Sequence, residues 1–226
     1  MHANYGSIKM DRAIADKLIS FFSKYPPISL KKGGILIDPN NDPSGVFFIE
    51  QGIVRRYWIF ENGNEITLNL YKPHAFLPMS WVIGNVPNTH FYEAMTNIQV
   101  RKAPVSDVIA FLTKESDIVY DLLKRVYIGM EGLWEHMQCI THGQSSTKLI
   151  AIILLLAKRF GQSTNSGGKI EITLRIGEKD LANYAGISRE TVSRELQKLR
   201  KLRIISFTRG FLTIIHSKRL EKMLRI

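Results

Sequence analysis

Seven apolar residues between Val119 and Ile140 constrain the fold of this 226-residue chain more tightly than any other feature. Val119, Leu123, Val126, Met130, Leu133, Met137 and Ile140 recur at alternating steps of four and three. Such steps hold one narrow stripe along one side of an α-helix, the pattern of a two-helix seam. At about 1.5 Å per residue the helix is roughly 30 Å long. A helix of that length separates the residues before it from those after it. The stripe is narrower than the broad face a helix turns to its own core, so it predicts a parallel pairing with a second copy. The competing arrangement packs the seam on the chain's own preceding domain, and the off-seam Leu122, Tyr127 and Trp134 are available for that contact. Gly129 and Gly132 each weaken the helix by about 1 kcal/mol relative to Ala, and leave room for another backbone.

Ahead of the seam, Asp11 to Phe22 has helical spacing, with Ile14, Leu18, Ile19 and Phe22 on one face, and Pro26-Pro27 stops it. The period then drops to two. Gly33-Gly34, Pro39 to Pro43, Gly45 and Gly52 punctuate short runs of Ile, Val and Phe that continue to about Arg101. The clearest hairpin joins Ile53–Phe60 to Glu65–Tyr71, because Asn62-Gly63 supplies the positive φ of a tight turn. In its second strand Ile66, Leu68 and Leu70 alternate with Thr67 and Asn69, which predicts one buried face. Many short strands at regular spacing predict a jelly-roll-like β-roll. The fold class is therefore α+β, with domains at 1–115 (β-roll), 116–141 (dimerisation helix) and 142–226 (a basic domain).

Charge supports that division. Residues 1–140 hold 14 Lys and Arg against 14 Asp and Glu; residues 141–226 hold 17 against 6. The whole net charge of +11 therefore sits in the last 86 residues. A small basic domain suits a polyanion, since each phosphate it neutralises releases counterions. Within it, Thr141 to Thr147 reads as a polar hinge, Lys148 to Phe160 as a helix, Gly161 and Ser163–Gly168 as loop, and Lys169–Ile176 as a strand.

The sharpest local pattern lies between Gly177 and Ile205. Glu178–Ala185 is a short helix with acids in its first turn and Leu181, Ala182 and Ala185 facing inward. Gly186 suits the left-handed residue after it, Ser188 caps the next helix, and Val192, Leu196 and Leu199 define that helix's buried face. Ser188, Arg189, Glu190, Thr191, Ser193, Arg194 and Gln197 gather on or near its N-terminal, outward part, where a helix-turn-helix meets base edges in the major groove. Arg suits guanine and Glu accepts from cytosine, while Lys198, Arg200, Lys201 and Arg203 come next, toward the phosphates. Ile204–Phe207 and Phe211–Ile215, flanking Thr208-Arg209-Gly210, read as the wing of a winged helix.

Gly45–Val54 (G-V-F-F-I-E-Q-G-I-V), the long helix and Asp180–Leu196 (D-L-A-N-Y-A-G-I-S-R-E-T-V-S-R-E-L) together resemble the Crp–Fnr family of bacterial transcription regulators. The resemblance implies a homodimer joined through the long helix, an inverted-repeat operator on double-stranded DNA, base reading at Arg189, Glu190 and Arg194, and RNA polymerase as a partner. Two recognition helices would then sit one DNA turn, roughly 34 Å, apart.

The effector pocket departs from the family pattern. Leu77-Pro78 stands where nucleotide-binding members carry Gly-Glu, and Asn88 stands where they carry the phosphate-pairing Arg. A buried phosphate then lacks an evident cation, so control by cAMP or cGMP in the usual mode is not expected. Phe76, Leu77, Met79, Asn88, Thr89 and Tyr92 are the candidate pocket residues, and Trp81 and Phe91 could add to an aromatic lining that a plain β-roll core explains equally well. The single Cys139 excludes an internal disulfide, a cysteine-ligated zinc and an iron–sulfur cluster. Haem on His74 or His90 is an alternative, although a surface or hydrogen-bonded histidine is the plainer reading. A metal-dependent jelly-roll enzyme is another, but the six histidines lack a His-x-His cluster and no catalytic motif stands out, so no enzymatic activity is expected. No cofactor or metal is expected and the effector is unassigned. With no apolar signal core near Met1 and no run long enough to cross a bilayer, the expected location is the cytoplasm, away from membranes.

Overall fold

The computed structural model describes residues 10–39, 41–163 and 169–224; the side chains of Cys139, Ile140 and His142 also lie outside the described residues. Cα proximity divides the chain into two compact units, one of Met10–Val126 and one beginning at Tyr127.

The first unit opens with α1 (Arg12–Phe22), whose N-cap Asp11 accepts a hydrogen bond from the Ala13 amide at 2.8 Å. Its buried face is Ile14, Ala15, Leu18, Phe21 and Phe22. Phe21 therefore takes the inward place expected of Ile19, which is 40 % exposed. The reason is tertiary: Phe21 stacks on Phe111 with ring centroids 4.1 Å apart, and Phe22 on Phe48 at 4.7 Å.

Eight strands and a short helix come next: β1 (Pro27–Leu30), β2 (Ile35–Ile37), β3 (Val46–Gln51), β4 (Val54–Ile59), β5 (Glu65–Tyr71), β6 (Phe76–Leu77), α2 (Met79–Gly84), β7 (Phe91–Ala94) and β8 (Ile98–Ala103). They form two antiparallel four-stranded sheets, ordered β1-β8-β3-β6 and β2-β7-β4-β5. Val46 and Phe48 face one apolar cluster with α1, while Phe47 and Ile49 face the other with Val54, Tyr92 and Val100. Strand β3 is thus buried on both faces, which is why it reads as an unbroken apolar run.

The β4–β5 hairpin forms as expected, with Gly63 at φ 78°. Its burial differs from strict alternation: Thr67 is 2 % exposed and Leu68 is 36 % exposed. Arg56 pairs with Asn69 and Tyr57 with Thr67, so Leu68 is the extra residue of a β-bulge. One extra residue reverses the facing of everything on its far side.

Helix α3 (Val105–Lys114) buries Val108 and Leu112 beside α1, and α4 (Ser116–His142) begins two residues later. Ile118 and Leu122 pack in the same cluster. Lys17 of α1 holds both Glu115 and Asp117 at the start of α4, at 2.6 and 2.7 Å. Farther along, the seam residues Val119, Leu123, Val126, Met130, Leu133 and Met137 are all exposed, by 39 to 51 %. Ile140, the last seam residue, is outside the described side chains. Tyr127 and Trp134 are 61 and 51 % exposed, so neither packs in the way Leu122 does.

The second unit contains the remainder of α4, then α5 (Ser145–Phe160), β9 (Gly161–Ser163), β10 (Ile170–Ile172), α6 (Glu178–Ala185), α7 (Arg189–Lys201), β11 (Ile205–Thr208), β12 (Phe211–Ile214) and α8 (Ser217–Leu224). The polar hinge is shorter than its composition suggests. Helix α4 runs to His142 and α5 starts at Ser145, which leaves Gly143-Gln144 as the break. Gly161–Ser163 is a strand, not loop, because it pairs with Ile170–Ile172; the loop expectation for 164–168 falls outside the described residues. The antiparallel sheet runs β11-β12-β10-β9. Leu149, Ile152, Ile153 and Leu156 of α5 are fully buried, as are Leu181 of α6 and Val192 of α7. No helix among the described residues is long and apolar enough to cross a membrane.

Candidate nucleic-acid interface

The turn between α6 and α7 is built from short-range chemistry. Asp180 Oδ2 accepts the Gly177 amide at 2.8 Å and closes the start of α6. Gly186 ends it at φ 63°, a conformation that would strain a residue bearing a Cβ. Ser188 then caps α7: its Oγ accepts the Thr191 amide at 3.2 Å and lies 3.1 Å from the Thr191 hydroxyl. The Glu190 carboxyl, in the first turn, is held below its usual range by its own backbone N–H and the Ser188 hydroxyl.

Packing fixes which side of α7 faces out. Val192, Leu196 and Leu199 are at most 3 % exposed. Ser188, Arg189, Glu190, Arg194, Gln197, Lys198 and Lys201 are exposed, and Thr191 and Ser193 are half-buried at the edge of that surface. The nine sequence-identified residues therefore lie on or beside one outward face of the cap and helix. Arg189 Nε sits 3.6 Å from Glu178 Oε2, an ion pair across the turn that the sequence alone does not reveal.

Glu195 was also hidden in the sequence. It is only 8 % exposed, beside the apolar face of α7. Its Oε1 accepts from Lys198 Nζ at 2.7 Å and lies 3.9 Å from Arg194 Nε. A carboxylate can be buried there because the cation three residues on neutralises it. The spacing of Glu195 and Lys198 was the available signal. Arg194, Glu195, Lys198, Gln144, Ser145 and Met223 border a cleft of about 430 Å³ beside the helix.

The wing is the β11–β12 hairpin, turned at Arg209 (φ 52°) and Gly210 (φ 84°). Arg175 Nε donates to the Arg209 carbonyl at 3.0 Å, and the Ile176 amide to the Gly210 carbonyl at 2.8 Å. The exposed basic tip is thereby pinned to the rest of the sheet.

The six candidate pocket residues of the first unit do not share one cavity wall. Phe76 and Met79 belong to the cluster beside α1, whereas Leu77 and Tyr92 belong to the cluster of Val54 and Val100. Adjacent residues of β6 face opposite ways, which separates Phe76 from Leu77. Asn88 is spent on its own loop: Nδ2 donates to the His90 carbonyl at 2.9 Å and to that of Asp38 at 3.4 Å. The Thr89 hydroxyl lies 3.2 Å from His90 Nδ1. His74, at φ 70°, stacks on Phe48.

Two arginines on β4 are not singled out by the sequence pattern. Arg55 is 7 % exposed and neutralised by Glu65 at 2.9 Å and Glu93 at 2.7 Å, with its guanidinium 4.0 Å over the Tyr57 ring. Arg56 has no such acid among the described residues. Its Nη2 meets His90 Nδ1 at 2.9 Å, its guanidinium carbon lies 5.9 Å from the Tyr92 ring, and its Nε is buried without a hydrogen-bond partner. Burial first, and then the Arg56 charge, push the His90 imidazole down to about 4. No group of three or more potential metal ligands occurs among the described residues.

A capped recognition helix after a glycine turn, a basic wing and a separate β-roll unit define a DNA-binding transcription regulator. The family model of the Crp-like helix-turn-helix domain matches residues 147–223, and that of the cyclic nucleotide-binding domain matches residues 27–115. With both parts matched, the chain belongs to the Crp–Fnr family of transcription regulators. It is 24 % identical over 213 residues to the global nitrogen regulator of Synechocystis sp., covering 92 % of this chain and 94 % of that protein. It is 23 % identical over 208 residues to the fumarate and nitrate reduction regulatory protein of Yersinia pestis, covering 92 and 81 %. Among solved structures, a mutant of CooA from Carboxydothermus hydrogenoformans shares the fold with a TM-score of 0.79 at 16 % identity, covering 97 % of this chain and 99 % of that one. A CRP/FNR-family transcriptional regulator from Thermus thermophilus gives 0.68 at 20 % identity, covering 89 and 99 %.

Proposed function

We propose that this regulator works as a homodimer on an inverted-repeat operator, paired along α4 and not controlled by cyclic nucleotide in the usual mode. The observation that carries the reading is the seam: six apolar side chains at heptad spacing stand exposed on one chain. Water disfavours such a stripe, and a second copy covers it with the same residues. Residues 1–115 act as the sensor, 116–141 as the dimerisation helix and 142–226 as the DNA-binding domain. In the last of these, Arg189, Glu190 and Arg194 read bases, Ser188, Thr191, Ser193 and Gln197 complete the contact, and Lys198 and Lys201 meet phosphates. Leu77-Pro78 and the self-bonded Asn88 leave a cyclic phosphate without its expected partners. The protein works in the cytoplasm with RNA polymerase as a further partner, and the chemistry of a regulator leaves no role for catalysis.

Selection of bound sequences from a random DNA pool tests this directly. The expected product is a pair of inverted half-sites with centres one helical turn, about 10 base pairs, apart. A single half-site, or no enrichment, overturns the dimeric reading.

A further inference from the structure

Arg56 is a cation turned into a β-roll with no anion to meet it among the described residues. Buried or half-buried charges in proteins are paired, because an uncompensated one gives up hydration for nothing. Glu65 and Glu93, on the flanking strands β5 and β7, are engaged by Arg55. What Arg56 has instead is a single imidazole nitrogen, which occupies Nη2 and leaves Nε unmet. One acceptor atom cannot satisfy two donors of the fork, whereas an oxyanion brings two oxygens in the matching geometry. Opposite the Arg56–Tyr57 step, β5 carries the bulge at Leu68, and bulges are frequent beside binding sites. Beside the guanidinium stand His90, whose Nδ1 the Thr89 hydroxyl approaches, and the ring of Tyr92, so polar groups border an aromatic wall.

We propose that Arg56 anchors an effector site for a small organic anion, whose carboxylate or phosphate displaces His90 from Nη2 and also accepts a hydrogen bond from Nε. The cation that this β-roll lacks at Asn88 is thereby supplied from β4. The site gives the regulator its signal, and so depends on the regulator reading for its consequence but not for the binding itself.

Trp58 lies edge-on to His90 with ring centroids 5.6 Å apart, so tryptophan fluorescence reports movement of that imidazole. The full-length protein is titrated with sodium phosphate and, separately, with sodium succinate, at ionic strength held constant with chloride. A saturable change with at least one of them is expected, and which one responds distinguishes a phosphate from a carboxylate ligand. Arg56→Gln weakens it about tenfold or more, the loss of one bidentate charged contact. His90→Ala, read by isothermal titration calorimetry because it lacks the imidazole that Trp58 reports, frees Nη2 and tightens binding severalfold, which keeps the test alive if Arg56→Gln fails to fold. No saturable response to either anion, an unchanged constant in folded Arg56→Gln, or weaker binding in His90→Ala overturns the proposal. Failure to bind DNA both with and without the anions bears instead on the regulator reading.

Discussion

Met130→Asp is the sharpest test of the α4 seam. In one chain Met130 is 39 % exposed, and the described seam residues reach 51 %. Complete burial of such a side chain contributes about 1.5–3 kcal/mol, so covering the exposed part contributes about 1 kcal/mol per residue. Six residues on each of two helices therefore supply on the order of 10 kcal/mol before costs. Association costs about 4–15 kcal/mol in lost rigid-body freedom. The seam thus has little surplus with which to absorb a charge. The substitution removes about 1 kcal/mol from each helix and sets two carboxylates at equivalent places across the dimer axis, where each loses part of its hydration. A total loss of about 4 kcal/mol corresponds to a dimer constant weakened about 10³-fold. Sedimentation velocity over a concentration series reads that constant, with circular dichroism to confirm that helix is retained. Met130→Leu, which conserves volume, stays dimeric. A folded Met130→Asp protein with the wild-type dimer constant refutes the reasoning, and so does a wild-type protein that sediments as a monomer.

At the DNA face, Arg194→Ala lowers affinity for the selected operator by about 1–3 kcal/mol and spares random DNA, whereas Lys201→Ala flattens the salt dependence on every sequence; equal losses on both DNAs in a binding assay contradict base reading by Arg194. In the β-roll, the folded protein holds His90 near 4 against an ordinary 6.5, so the unfolded chain binds the extra proton between those values. The His90 contribution is present above about pH 6.5 and is lost as pH falls toward 4. The separation sets a ceiling of about 3 kcal/mol, and solvent screening of the half-exposed ring reduces it to about 1 kcal/mol. Denaturant melts at pH 7 and pH 4 should show wild type losing about that much more than His90→Gln; parallel losses contradict it.

Local chemistry made the recognition helix legible. Gly186, Ser188 and Thr191 act within six residues of one another, so the turn and cap could be read without knowing the rest of the chain. Tertiary choices could not. Ile19 and Phe21 are both apolar, and the rings waiting for Phe21, Phe111 of α3 among them, lie far along the chain or depend on how α1 packs. The Asn62-Gly63 turn was evident, but the bulge at Leu68 depends on how β5 registers against β4. The same register decides that Arg55 finds two carboxylates while Arg56 finds a histidine. Adjacent arginines in an apolar strand were the visible signal, and alternation across a strand gives the reason to examine each separately.

The Glu195–Lys198 pair gives the recognition helix a competitor of its own. A phosphate that attracts Lys198 must draw it from a carboxylate 2.7 Å away, on a residue that is 8 % exposed and cannot follow. Chance encounters with arbitrary sequence therefore gain less than the count of cations on α7 suggests. On the proposed reading, only a site that also engages Arg189, Glu190 and Arg194 repays the exchange in full. Glu195 would thereby, on the same reading, shorten the time spent on the wrong DNA and leave more of the protein free to search for the right one.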